Sequence, residues 1–339
     1  MNFENKKILI TGGAGFIGLH LSKRLLERGF SVDLVDDFSR GVCDSELETL
    51  AKQPGVNIHS CDITMHKAFD DFNYGYYYIF HCAAIVGVSN VLKMPYNVLS
   101  KNLSMLVNLL DFASKQSMLK RLMFISSSEV YAGTLQNFDL PIPTPESVPI
   151  ALTDIAHPRT SYMLSKIYGE ALCLHSGLPC TILRPHNIYG PRMGMAHVIP
   201  ELLRKAYISS DGGNIEVFSI NHKRTFCYID DAVEMMILCL ESPDCRGQIM
   251  NIGNQDTLVT MQVLAEIIID VINKEVKIDP KPSTPGSPHI RCPDMNKTYD
   301  LINYKCLVGL EEGIELTYKW YLKNVFNTNR CESRSRIKF

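Results

Sequence analysis

The 339-residue chain has a single tryptophan, no Cys-x-x-Cys pair and no apolar run near the roughly 20 residues that a bilayer span requires. Each absence closes a class of function. The longest apolar runs, such as Met235–Leu240, are short, and the opening MNFENKKILI lacks the apolar core of a signal peptide, so no membrane partner is expected. Eleven cysteines lie scattered, with no Cys/His cluster at zinc spacing. That argues against a disulfide framework and against a metal site, and it fits the reduced thiols of the cytoplasm. Thirty-four basic against 36 acidic residues give a net charge of −2, which leaves no excess to draw nucleic acid or an anionic surface. With 46% hydrophobic and 21% charged residues, disorder, collagen and coiled coil are excluded. The length predicts about two domains.

What is present has a rhythm. Ile8–Ile10 is a short apolar run that leads into Thr11-Gly12-Gly13-Ala14-Gly15-Phe16-Ile17-Gly18. Ile17, Leu21, Leu25 and Leu26 then recur at helical spacing as far as Gly29, and Val32–Val35 is again β-prone. Further strands are predicted at Ile58–Cys61, Tyr77–Ala83, Arg121–Ser126, Cys180–Arg184 and Gln248–Ile252, with helices such as Leu99–Lys115 and Tyr162–Ser176 between them. Such alternation predicts an α/β fold with a parallel, doubly wound sheet. Residues 141–149, with four prolines, cannot be a central strand or helix interior and read as a surface loop that could serve as a lid; residues 279–295 are equally proline-rich. The polar end of the chain, 327–339, reads as a frayed tail.

The turn between the first strand and helix carries the first chemical signal. Gly12, Gly15 and Gly18 suit a tight turn, a close backbone approach to a pyrophosphate and close helix packing, and the helix N-terminus offers free N–H groups to the anion. Asp36 ends the second strand, where its carboxylate can accept from both ribose hydroxyls. A negative charge there repels a 2′-phosphate, so NAD is favoured over NADP; Arg40 could pair with a phosphate, but Asp36 and Asp37 outweigh it. Asp62, after the third strand, reads either as an acceptor for the adenine amino group or as an ordinary turn residue.

Tyr162 and Lys166 are four apart in a helical pattern and share a face. An ammonium near the phenol, reinforced by an oxidised nicotinamide, is expected to lower the tyrosine pKa and make Tyr162 a base. Ser126-Ser127-Ser128 directly follows the strand Arg121–Ile125, at a carboxyl end where ligands of open α/β sheets bind.

TGGAGFIG, the acid at 36, SSSEVY (126–131), YxxxK (162–166), RPHNIYGPR (184–192) and Arg224 in KRTFCYIDDA (223–232) occur in order. Over residues 6–325 the chain resembles the extended short-chain dehydrogenase/reductases, the NAD-dependent epimerases and dehydratases of nucleotide sugars. The resemblance implies a Rossmann domain, 1–186 together with 225–252, and a smaller C-terminal α/β domain, 187–224 and 253–325, that holds a nucleoside diphosphate sugar, with 326–339 as a tail. It implies a homodimer through a four-helix bundle of the helices around 102–115 and 162–176. It implies cofactor contacts at Phe16, Ile17, Asp37, Asp62, Ile63, Ala83 and Asn102 besides the glycines, Asp36, Tyr162 and Lys166. Ser127 falls at the catalytic hydroxyl, Lys166 at the lysine that holds the nicotinamide ribose, and Ser128 at the substrate. Asn187 and Arg224 match diphosphate contacts, and Arg291 is a candidate second anion contact. His186 and His197 border the site as packing residues.

In the family's shared opening step Tyr162 takes the C4 hydroxyl proton as hydride leaves C4, giving a 4-keto sugar. A 4-epimerase needs no further group and is the expectation. Glu129, two residues after Ser127, stands where dehydratases and uronate decarboxylases of the family carry glutamate, so a 4,6-dehydratase or a decarboxylase that uses Glu129 is the alternative. A non-catalytic NAD-binding or RNA-binding scaffold is the reading from another class, and the retained Tyr/Lys pair and the charge balance stand against it.

Overall fold

The structure, a computed structural model, describes residues 6–138, 140–283 and 287–327. Among the described residues fourteen strands run in order: β1 Lys7–Thr11, β2 Ser31–Asp36, β3 Val56–Ser60, β4 Tyr76–His81, β5 Arg121–Ile125, β6 Cys180–Pro185, β7 Ile188–Tyr189, β8 Asn214–Phe218, β9 Lys223–Arg224, β10 Cys227–Tyr228, β11 Ile249–Ile252, β12 Val259–Thr260, β13 Lys277–Lys281 and β14 Ile290–Arg291. The α-helices are α1 Phe16–Glu27, α2 Ser45–Ala51, α3 Val88–Lys93, α4 Pro95–Ser114, α5 Ala132–Asn137, α6 Thr160–His175, α7 Val198–Ile208, α8 Ile229–Glu241, α9 Met261–Ile272, α10 Asn296–Ile302 and α11 Leu310–Tyr321.

Seven strands form one sheet in the order β11-β6-β5-β4-β1-β2-β3, and every pairing is parallel. The central strands are apolar on both faces, as a sheet covered by helices on both sides requires. In β1, Ile8 and Ile10 join one buried layer while Leu9 joins the other, the period-2 alternation of a strand. The fold is thus the Rossmann-like doubly wound α/β architecture that the alternation of elements predicts. Strand order reverses between β1 and β4, and this switch point opens a crevice at the carboxyl ends of the strands.

Helix α6 lies unusually close to the sheet. A Cβ on Gly169 would come within 2.4 Å of the Phe124 ring, so only glycine permits this approach. The approach brings Tyr162, two turns earlier on α6, and Lys166, about one turn earlier, to the end of β5.

Short strands complete the molecule: β12-β9-β14, β13-β8 and β10-β7. The two proline-rich stretches find each other. Thr144 N–H donates to Cys292 O (2.8 Å), and Asp294 N–H donates back to Thr144 O (2.9 Å). With Thr144 1% exposed, residues 141–149 form a strut against the C-terminal segment rather than the free lid that the prolines suggested. The prolines of 141–149 offer no N–H to a ladder, yet the one threonine among them supplies both groups of a parallel bridge. Residues 284–286 of the second stretch, and the tail beyond 327, lie outside the described residues. Among the described residues no helix is long and apolar enough to cross a membrane.

Candidate active site

The crevice widens into a cleft of about 580 Å³ that reaches from the glycine turn to Arg291. At its cofactor end the backbone does the shaping. A Cβ on Gly12 would meet Ala83 N at 2.7 Å, and one on Gly18 would meet Gly12 O at 2.3 Å. Gly15 caps α1 without any side-chain bond, so the first-turn N–H groups of the helix face the cleft uncapped. Asp36 Oδ2 accepts from Ala14 N–H (3.0 Å) and its Oδ1 from Phe38 N–H (2.9 Å); burial raises its pKa, the two N–H bonds oppose that, and the remaining lone pairs are those a ribose would use. A cradle that side chains would fill, an uncapped helix end and a carboxylate at the strand end fit NAD.

Phe16, Ile17, Asp37, Asp62, Ile63 and Ala83 also line this part of the cleft. Asp62 accepts from Thr64 N–H (2.9 Å) as a turn residue does. Asn102 lies behind the wall instead. Its amide clasps the backbone of Ile85 (2.7 and 3.3 Å) and donates to Ser165 Oγ (3.1 Å), so it braces a lining residue without reaching the cleft itself.

At the other end Ser127, Ser128, Glu129, Tyr162, Lys166, Asn187 and Arg291 come together from four separate segments. Ser127 caps the short helix that follows β5, accepting from Glu129 N–H (3.2 Å), and its hydroxyl draws the pKa of the neighbouring Tyr162 phenol down. Burial pushes Tyr162 up to about 12, while the Ser127 hydroxyl and the Arg40 charge pull the other way. Lys166 is not bonded to the phenol. Its ammonium donates to Ile125 O (2.7 Å) and lies 5.8 Å from the Tyr162 ring, and burial brings its pKa down to about 8. The expected lowering of the phenol by Lys166 is therefore not produced by the protein's own groups, because desolvation outweighs them.

Glu129 carries the main electrostatic feature. Arg291 Nη1 donates to its Oε1 (2.8 Å), and the Arg291 charge, ahead of the cost of burial, holds the carboxyl below its ordinary value, with Arg159 and Arg224 adding to the effect. Arg291 Nε is buried with no partner among the described residues. Arg159, which the sequence reading missed, lines the cleft at the start of α6. Arg224 is displaced from its expected place at the cleft wall. Its guanidinium bonds the backbone carbonyls of Lys223, Pro288 and His289 (2.7, 2.5 and 3.2 Å) and Ser287 Oγ (2.8 Å), pinning the C-terminal segment that carries Arg291. His186 packs behind the site, its Nε2 on Asn251 Oδ1 (3.1 Å), and burial drives its pKa down to about 3; His197 lines the cleft.

Residues 8–253 match the NAD dependent epimerase/dehydratase family. A UDP-N-acetyl-alpha-D-glucosaminuronate decarboxylase of Bacillus cytotoxicus is 33% identical over 330 residues, which cover 93% of this chain and 98% of that protein. Among solved structures, UDP-glucose 4-epimerase of Thermotoga maritima with UDP-glucose is 27% identical, with a TM-score of 0.80 over 94% of this chain and 99% of that one. UDP-glucuronic acid 4-epimerase of Bacillus cereus, in complex with UDP-glucuronic acid and NAD, is 25% identical, with a TM-score of 0.79 over 94% and 99%.

Proposed function

The chain belongs to the NAD-dependent epimerase/dehydratase family, and on that premise we propose that it oxidises a nucleoside diphosphate hexuronate at C4 and releases its C6 carboxylate as carbon dioxide. The observation that carries this reading is the Arg291–Glu129 pair beside Ser127 and Tyr162. A dehydratase needs a basic carboxylate to remove the C5 proton, and a carboxyl held low by arginine is a weak base. A uronate instead brings its own carboxylate, for which the unpartnered Arg291 Nε and the nearby Arg159 are suited donors.

The cofactor, held at the glycine turn, Phe16, Ile17, Asp36 and Lys166, supplies hydride acceptance from C4 and its later return. Tyr162, with the Ser127 hydroxyl beside it, takes the C4 hydroxyl proton and gives it back to the same oxygen at the end. With a ketone at C4 the C6 carboxylate is a β-keto acid; the C5–C6 bond breaks, its electron pair enters the C4–C5 enolate, and carbon dioxide leaves, after which a proton from solvent adds to C5 and restores the C4 ketone. The anionic Glu129 favours the shift of negative charge from the C6 carboxylate to the enolate oxygen at C4. Asn187 and Arg224 are assigned to the diphosphate side, Arg224 through the segment that it pins. In this assignment the cofactor half is 1–186 with 225–252, and 187–224 with 253–325 hold the sugar nucleotide. A second copy of the chain is assigned to α4 and α6, where Val107, Tyr168 and Leu172 are exposed; a one-chain mass in sedimentation equilibrium would refute that.

The second reading is 4-epimerisation of the same uronate, which needs only Ser127, Tyr162 and Lys166. UDP-glucuronate and UDP-N-acetylglucosaminuronate labelled with ¹³C at C6 separate the two. Decarboxylation releases labelled carbon dioxide and leaves a pentose; epimerisation keeps the label in a C4 epimer. Tyr162→Phe should stop both, and near-normal turnover in that variant would sink either reading.

A further inference from the structure

Arg192, the last residue of the RPHNIYGPR segment, lies far in sequence from the glycine turn, yet its side chain, 4% exposed, is wrapped around that turn. Its Nη1 donates to Ala14 O (2.8 Å) and Gly15 O (3.2 Å), its Nη2 to Val42 O (2.6 Å), and its Nε to Asp44 Oδ2 (2.6 Å). Asp44 is itself fixed, because its other oxygen caps α2 by accepting from Leu47 N–H (3.0 Å). The Arg192 backbone sits at φ +69°, a region that side chains other than glycine seldom adopt, so the surrounding contacts hold it against a local preference.

The consequence falls on the cofactor turn. The Ala14 peptide is gripped at both ends: its N–H by Asp36 and its carbonyl by Arg192. Gly15 O takes the first bond of α1, from Leu19 N–H (3.1 Å), and also the Arg192 guanidinium. With both carbonyls drawn toward Arg192, the uncapped N–H groups of the first turn of α1 keep one orientation toward the cleft. The Asp44 carboxylate offsets the guanidinium charge, so what Arg192 contributes to the turn is the orientation of its carbonyls.

We propose that Arg192 is a positioning residue for the cofactor: it sets the phosphate turn from the opposite side of the cleft, so that the segment carrying Asn187 helps to determine how tightly NAD is held. Arg121 provides the control. It too is a buried arginine bonded to backbone carbonyls, those of Cys239 and Ser242, and to Thr181 Oγ1, but it sits at the amino end of β5, away from the cleft.

The experiment compares Arg192→Ala, Arg192→Lys and Arg121→Lys in the full chain, measuring the NADH dissociation constant by fluorescence titration and the melting temperature in parallel. Loss of charge-assisted bonds to the turn should weaken NADH binding about tenfold or more in Arg192→Ala. Arg192→Lys, which keeps the charge without the fork, should fall between it and the unaltered protein. Arg121→Lys should lower the melting temperature at unchanged NADH affinity. If Arg192→Ala does not fold, the lysine variant decides alone. NADH affinity within about twofold of the unaltered protein in Arg192→Lys, or an equal loss in Arg121→Lys, would overturn the assignment.

Discussion

Two arginine–glutamate pairs, built from the same groups, sit in different parts of the molecule. Behind the sheet ends, Arg184 grips Glu170 with Nε and Nη2 (2.9 and 2.6 Å), and its remaining nitrogen donates to Tyr131 Oη (2.7 Å). Glu170 accepts in addition from Ser126 Oγ (2.5 Å), and Tyr131 passes the network on to Asn251 (2.9 Å). In the cleft, Arg291 reaches Glu129 through one nitrogen, and its Nε has no partner among the described residues. The side chains of the first pair are 3% and 8% exposed, those of the second 10% and 28%. A saturated pair out of reach of ligands fixes structure, whereas an unsaturated one at a cleft wall retains hydrogen-bonding capacity for something that binds.

The largest effect that would sharpen this contrast is on stability. Arg184→Met strands the Glu170 charge and should cost about 3–5 kcal/mol in urea unfolding. A loss below about 1 kcal/mol would break the contrast from the structural side. Next comes catalysis. Arg291→Ala should lower kcat/KM roughly 100-fold, the scale of about 3 kcal/mol for a lost charge-assisted contact, at nearly unchanged unfolding free energy. The reverse pattern, stability lost and kinetics kept, would make Arg291 a second Arg184.

The smallest effect is on pH. Glu129 ordinarily titrates near 4.5 and is held lower by Arg291, so the pair's contribution is complete above that value and disappears as pH falls through the lowered one. Arg291→Gln removes the main cause, and the acid limb of the pH–rate profile should move upward. An unmoved limb would mean that Glu129 does not govern it.

The cofactor end of the cleft was readable because it is local. Gly12, Gly15, Gly18 and Asp36 lie within 25 residues, and a strand, a turn and a helix dictate their placement. Tyr162 and Lys166 were readable for the same reason, one helical turn apart. Glu129 drew attention from the sequence and Arg291 was expected only as an anion contact, because nothing local pairs two residues 162 apart. Arg192 closed a recognised motif and was overlooked, because a positive φ and bonds to backbone carbonyls leave no trace in composition or period. Arg224 was expected at the diphosphate from its motif alone, and its bonds to the carbonyls of 288 and 289 could not be foreseen, because a motif gives a residue's position in the chain and those carbonyls reach its guanidinium only in the folded state.

The sheet order also bears on how the protein is made. Strand β11, the last of the seven to leave the ribosome, pairs along the outer flank of β6, Ile249 beside Ile182 through Ile252 beside Pro185. Until residue 252 has been synthesised, a nascent chain carries a bare apolar strand flank with unpaired backbone groups, the template on which copies stick together. Chains cut after residue 186 are therefore expected to aggregate during expression, whereas cuts beyond β11 spare that flank.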